Sequence, residues 1–245
     1  MFLFLDPTYL LFMIPGLLLM FIAQWRVNHA YSKWGKTPNS AHINGMEAAR
    51  RLLSYGGYHD ANLSTSGGLL GVHLAGIGGR LTDRYDPTDN TLYLSQEVAT
   101  QASVASIAVA AHEIGHAAQK AESYTPFLFR SALVPVTNIG STLGWILIFG
   151  GLILGFYPIA WLGVLFFSLG ALFALATLPV EFNASFRARQ MLTESGLVVT
   201  EEDARGVNDV LNAAAMTYVA ALATALFQVL YYVLLLGGLG GRRRR

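Results

Sequence analysis

Residues 131–180 read SALVPVTNIGSTLGWILIFGGLILGFYPIAWLGVLFFSLGALFALATLPV, a run without a single Asp, Glu, Lys, Arg or His. A bilayer core about 30 Å thick is crossed by roughly 20 apolar residues of helix, so this run is too long for one crossing. Gly155-Phe156-Tyr157-Pro158 in its middle supplies a turn. The run therefore predicts a hairpin of two spanning helices, at about 133–155 and 159–179. Two more apolar runs flank it in the chain. Tyr9–Trp25 (YLLFMIPGLLLMFIAQW) lies between Asp6-Pro7 and Arg26, and Tyr218–Leu236 is closed by Gly237-Gly238. The first has neither the basic start nor the small-residue cleavage site of a signal peptide, which predicts a retained anchor.

Composition agrees. Of the 245 residues, 53% are hydrophobic and 13% charged, where a soluble domain carries about 25% charged residues. A net charge of +1 excludes a nucleic-acid partner held through clustered Lys and Arg. The chain has no Cys, so disulfides and thiolate metal sites are excluded, and any metal must be held by His, Asp or Glu.

The expected fold is a mainly α, multi-pass membrane protein with about four transmembrane helices and a small antiparallel β element. Its segments are an anchor (1–25), a soluble body (26–130), the membrane hairpin (131–180), a second soluble segment (181–217) and a final span with an Arg tail (218–245). An even number of crossings separates the two soluble stretches, which places both on one side. That side carries Arg26, Lys33, Lys36, Lys120, Arg130, Arg187, Arg189 and Arg205 against Arg242–Arg245 on the other. The excess predicts a cytoplasmic body. Within it, Asn44-Gly-Met-Glu47 opens a short helix through AARRLL to Gly56-Gly57. Val72–Ala75, Arg80–Thr82 and Thr91–Leu94, separated by turn residues such as Asp86-Pro-Thr-Asp-Asn90, predict the sheet. Thr91–Leu94 is read as an ordinary strand of that sheet, with an open edge for an extended substrate as the lesser alternative.

Residues 96–120 are Ala-rich and free of Pro, which predicts one helix, and it contains Ala111-His-Glu-Ile-Gly-His116. A spacing of four puts His112 and His116 on one helical face, where two imidazole nitrogens converge on a single ion. Glu113 is turned about 100° away. From there it can reach a water on the metal, the place of a general base. Zinc would lower the pKa of that water towards about 7, so the chemistry expected of this zincin-like helix is hydrolysis. An open zinc site needs a third protein ligand. His29, His42, His59, His73 and the acids are candidates, and Glu181, directly after the third apolar run, stands out among the acids.

AAHEIGHAAQ (110–119) followed by LPVEFNASFRA (178–188) resembles the YugP-type neutral zinc metallopeptidases of bacterial membranes and, more distantly, the HtpX and CAAX-prenyl membrane proteases. The resemblance covers most of the chain. It implies Glu181 as the third zinc ligand, because in the more distant group a pair of spans separates HExxH from a Glu-x-x-Ala-Asp helix that completes the site. Ser185 stands where that group has Asp, which leaves a hydroxyl as the partner of a zinc-bound His. Arg187 is implied as a group that steadies an oxyanion or orients Glu181. Leu81-Thr-Asp-Arg-Tyr-Asp-Pro87 and Leu94-Ser95 are similar to the block before the catalytic helix; Arg84 stands where the family commonly has His, and no metal role is assigned to it.

The reading is thus a membrane-bound, gluzincin-like zinc endopeptidase with one Zn2+ per chain. Its expected metal ligands are His112, His116 and Glu181, its general base is Glu113, and its partners are the lipid bilayer and protein or peptide substrates. An intramembrane protease with an Asp-Gly ligand is disfavoured because no Asp-Gly pair occurs. The alternative from another class is a zinc-stabilised membrane scaffold or chaperone partner without turnover. Structural zinc sites are usually closed by four protein ligands, and Glu113 would serve no purpose in one.

Overall fold

The computed structural model describes residues 7–55 and 71–242. The expected helix stop at Gly56-Gly57, the candidate ligand His59, Asp6 and the end of the Arg tail lie outside the described residues. The fold is mainly helical, in the order α1 (Pro7–Trp34), α2 (Gly45–Tyr55), β1 (His73–Ile77), β2 (Arg84–Asp86), β3 (Thr91–Ser95), α3 (Gln96–Thr100), α4 (Val104–Ala121), α5 (Thr125–Ile153), α6 (Tyr157–Glu194) and α7 (Glu201–Arg242). Four of these helices, α1, α5, α6 and α7, are long and apolar enough to cross a membrane.

Each of the four extends past the apolar run that announces it. α1 continues from Trp25 to Trp34, and α7 begins at Glu201, well before Tyr218. The helix expected to start afresh near Glu181 is instead the continuation of α6, which carries Pro179 in its interior. Loss of charge marks where a chain meets lipid; a helix ends only where its backbone is broken or capped, and nothing at these boundaries does either.

The chain divides into two compact units. The first holds residues 1–24, 128–179 and 216–245. Its core gathers Met13, Ile148, Ala160, Val164, Phe167, Tyr231, Tyr232 and Leu236. Trp145 sits edge-on to Phe167 and Tyr232, at centroid distances of 5.4 and 5.7 Å. The α5–α6 hairpin is closed through glycines: a Cβ on Gly144 would lie 2.7 Å from the Phe167 nitrogen, and one on Gly163 2.6 Å from the Ile148 nitrogen. Membrane helices gain contact area by such close backbone approach, since lipid supplies no hydrophobic drive between them.

The second unit, residues 25–127 and 180–215, contains the sheet and the HExxH helix. The expected sheet is corrected here. The sheet is mixed, in the order β1-β3-β2: β1 runs parallel to β3 (His73 opposite Thr91) and β2 antiparallel to it (Tyr85 opposite Leu92). β3 is therefore the central strand, with Leu92 and Leu94 fully buried, so it offers no open edge. Arg80–Thr82 is not a strand, and the chain enters β2 only at Arg84. The turn after β2 is set by Asp86, whose carboxylate accepts from the Thr88 amide at 2.8 Å, and by Asn90 at φ 55°.

The expected continuous helix over 96–120 is also two helices. Ser103, extended at φ −116° and ψ 160°, caps α4, and its Oγ accepts from the Ser106 amide at 3.2 Å. The break is fastened from the amino-terminal side: the Val104 amide donates to the Thr37 carbonyl, and the buried Asn39 amide group donates to the Ile43 and Ser103 carbonyls at 2.7 and 3.0 Å. The expected start of α2 is found as read, with the Glu47 amide donating to Asn44 Oδ1 at 2.8 Å.

Ser103→Ala should destabilise the second unit by about 1 kcal/mol through loss of this cap, read as a lower unfolding midpoint in detergent. Gly144→Ile should cost about 1–3 kcal/mol by overpacking the hairpin, measured in the same way.

Candidate metal centre

α4 presents its chemistry on one strip. His112 and His116 lie one turn apart, with ring centroids 4.8 Å apart and planes near perpendicular. The facing element is the polar continuation of α6, and what lets it approach is Gly115. A Cβ there would fall 2.7 Å from the Ala184 carbonyl oxygen and 3.1 Å from its Cα. With no side chain in the way, Glu181 reaches both imidazoles: its Oε2 is 3.3 Å from His112 Nε2 and 3.5 Å from His116 Nε2. One potential ligand atom from each of the three residues lies within 4.8 Å of the others. Among the described residues this is the group able to hold a metal ion. His42 and His73 lie elsewhere, in the loop before α2 and in β1, and His29 lies on α1.

These donors fit zinc. Glu181 is 3% exposed and its Oε2 has no hydrogen-bond partner, a costly state for a buried carboxylate oxygen unless a cation meets it. Ligand atoms about 2.0–2.1 Å from a tetrahedral zinc stand about 3.3–3.4 Å apart, which matches the spacing of Oε2 from the two Nε2 atoms. Two imidazoles and a carboxylate without thiolate are also a donor set that zinc accepts.

Both rings are held from behind. His112 Nδ1 is 3.2 Å from Ser185 Oγ. His116 Nδ1 is 3.0 Å from Gln119 Oε1. Gln119 is fully buried, and its amide nitrogen donates to the Val180 carbonyl at 2.8 Å and to Asn183 Oδ1 at 2.9 Å. These two bonds fix which end of the amide faces the ring. Gln119 Oε1 must accept, so His116 carries its proton on Nδ1 and presents a lone pair at Nε2. Sequence reasoning missed Gln119. The available signal was its position three residues after His116, on the same helical face.

Arg187, expected to steady an oxyanion or to orient Glu181, is held by Asn183 and Glu122. Its Nε donates to Asn183 Oδ1 at 2.7 Å, and its two terminal nitrogens donate to the Glu122 carboxylate at 2.8 and 2.7 Å. The fork thus clamps the carboxyl-terminal end of α4 to α6 through Glu122.

Glu113 leaves the helix towards the sheet, where its Oε2 accepts from the Tyr85 amide of β2 at 2.8 Å. Two turns on, Lys120 Nζ donates to the Pro87 carbonyl at 2.5 Å. β2 is also tied to the end of β3, because Asp83 accepts from the Ser95 amide at 2.7 Å and from its hydroxyl at 3.0 Å. Burial pushes the Asp83 carboxyl up, and these bonds only partly offset it.

Burial alone would push the His116 imidazole down, but the adjoining Glu181 carboxylate outweighs it and holds the ring above its ordinary value. In the metal-free protein, the stability this proton adds is full below the ordinary imidazole pKa and is lost as pH rises through the raised one. A metal needs the ring neutral.

The chain's residues 9–237 match the family model described as "Putative neutral zinc metallopeptidase". The chain is 40% identical over 222 residues to "Putative membrane protease YugP" of Bacillus subtilis (strain 168), a match that covers 91% of this chain and 93% of the relative. No solved structure matches it.

Zinc affinity should weaken by about tenfold per pH unit once pH falls below the raised His116 pKa, with proton release on binding; calorimetry in buffers of different ionisation enthalpy reads both. Gln119→Leu should lower zinc affinity by about 10–100-fold, measured by competition with a chelator. On residues 9–237 of shared sequence, the chain belongs to this family of neutral zinc metallopeptidases.

Proposed function

We propose that the chain is a membrane-bound zinc endopeptidase that holds one Zn2+ through His112, His116 and Glu181, with Glu113 as its general base. The observation that carries this reading is the convergence of the unpartnered Glu181 Oε2 on two imidazole nitrogens at 3.3 and 3.5 Å. The family and the relative's name support a peptide-bond substrate. The four apolar helices support a membrane location, and the basic excess near the span ends favours a site on the cytoplasmic side.

When bound, zinc supplies Lewis acidity to the scissile carbonyl and to a water molecule. The remaining work falls to the chain. Glu113 takes a proton from the attacking water as the water oxygen bonds to the carbonyl carbon, and returns it to the leaving amine as the C–N bond breaks. The Tyr85 amide fixes one Glu113 oxygen, so the carboxylate is aimed before substrate arrives. Ser185 and Gln119 keep the two Nε2 lone pairs directed inward. Because both ligand-bearing helices continue from apolar spans or lead into them, the substrates proposed are membrane proteins and peptides near the bilayer.

Glu113→Gln should retain zinc and lose about 10²–10⁴-fold in turnover, while Glu181→Ala should lose both. Zinc content by elemental analysis and cleavage of an unfolded test protein measure the two together. Equal cleavage by wild type and Glu113→Gln would favour a zinc-stabilised scaffold instead.

A further inference from the structure

The soluble unit contains a second built feature, remote in sequence from the HExxH motif and unused by the proposed chemistry. A cavity of about 310 Å³ is lined by Trp25, Arg26, His29, Ala30, Lys33 and Trp34 of α1 and by Asp209, Asn212 and Ala213 of α7. Its size lies at the small end of ligand sites, about 300–1,000 Å³, enough for a headgroup rather than a whole lipid.

Its position along the two helices is informative. Trp25 closes the first apolar run and Arg26 is the first charge after it. Ala213 precedes Tyr218, where the last apolar run begins, by five residues (218 − 213), about 8 Å of helix rise. Both walls are therefore the segments of spanning helices that pass from lipid to water, where Trp and basic side chains concentrate.

The lining is chemically one-sided. Arg26, His29 and Lys33 recur at helical spacing on α1, and among the described residues neither Arg26 nor Lys33 has a carboxylate within ion-pair distance. The single acid, Asp209, is engaged by the indole N–H of Trp34 at 3.0 Å. Lys33 Nζ rests 4.2 Å from the Trp34 ring centroid, and Trp25 stacks on His29 at 5.4 Å. Asn212 turns its oxygen to Arg189 at 2.6 Å, which leaves its amide nitrogen as a donor.

We propose that this cavity binds the phosphate of an anionic lipid headgroup, with Arg26 and Lys33 as the charged contacts and Trp25 as an aromatic wall at the bilayer surface. The chemistry shared with free phosphate esters is the phosphate itself. The lipid is favoured by the two apolar runs that border the site, because they present a tethered phosphate at the depth of the cavity and raise its effective concentration.

The test uses the full chain in detergent micelles, with native mass spectrometry reading retention of dioleoylphosphatidylglycerol against dioleoylphosphatidylcholine. Each basic side chain near an anionic lipid surface multiplies affinity about fivefold, so Arg26→Gln with Lys33→Gln should lower phosphatidylglycerol affinity about thirtyfold. Arg26→Gln alone should lower it about fivefold, which keeps the proposal testable if the double variant fails to fold. The control pair Arg50→Gln with Arg51→Gln removes the same charge from α2 and should leave lipid retention unchanged. Unchanged retention in the Arg26 and Lys33 variants, or an equal fall in the control pair, would overturn the site. Equal retention of the two lipids by wild type would overturn its preference for anionic headgroups. Displacement of the lipid by millimolar inorganic phosphate or glycerol 3-phosphate would make it a site for free phosphate instead. Zinc content is expected to be unchanged in every variant, so the outcome does not depend on the peptidase reading.

Discussion

The candidate metal centre depends on one absent side chain. Gly115 lies inside the HExxH turn, and the space its Cβ would need is occupied by the backbone of Ala184, 2.7 Å away at the carbonyl oxygen. That contact sets the separation of α4 and α6 within the second unit. At a more usual helix spacing of 8–10 Å between axes, set by side chains at the contact, the Glu181 carboxylate would have to span a wider gap to reach two imidazoles on the opposite helix. Small residues surround the contact: Ala111, Ala118, Ala184 and Ala188 are all buried. The Ala-rich character of α4 is therefore a packing requirement as much as a helix propensity.

Around that contact the polar groups form a connected set. His116 leans on Gln119, Gln119 donates to Val180 and Asn183, Asn183 accepts from Arg187, and Arg187 closes on Glu122. The bonds from Gln119 to Val180 and Asn183 and from Arg187 to Glu122 cross between the end of α4 and α6, so the set that orients an imidazole also holds the helices in register. The opposite flank of α4 is tied to β2 through Glu113 and to the turn after it through Lys120. The proposed base is thus positioned by the sheet, while the proposed ligands are positioned by α6. A change in one of these supports leaves the other in place.

Much of this was legible in the sequence, and the reasons differ by element. The spans were readable because lipid imposes a single demand, an uncharged helical run of sufficient length. His112 and His116 were readable because a spacing of four has one geometric meaning on a helix. Glu181 came from the resemblance, since nothing local distinguishes it from an interfacial acid. The helix limits were misread where charge was taken for a boundary: α6 passes through Pro179 to Glu194, and α7 starts at Glu201. The split between α3 and α4 was missed because the Ser103 cap is a local hydrogen bond inside an otherwise helical composition. Strand order was beyond reach, since short strands of similar composition do not say which of them is central. The role of Arg187 came from the resemblance, and its partner Glu122, the residue that caps α4, is 65 positions away in the chain.

The most direct measurement is zinc K-edge X-ray absorption on the zinc-loaded full-length protein in detergent. The prediction is a first shell of nitrogen and oxygen at about 2.0–2.1 Å with multiple scattering from two imidazoles, and no protein-bound zinc with that shell in Glu181→Ala. A shell of oxygens without imidazole scattering, or one that Glu181→Ala leaves unaltered, would contradict it.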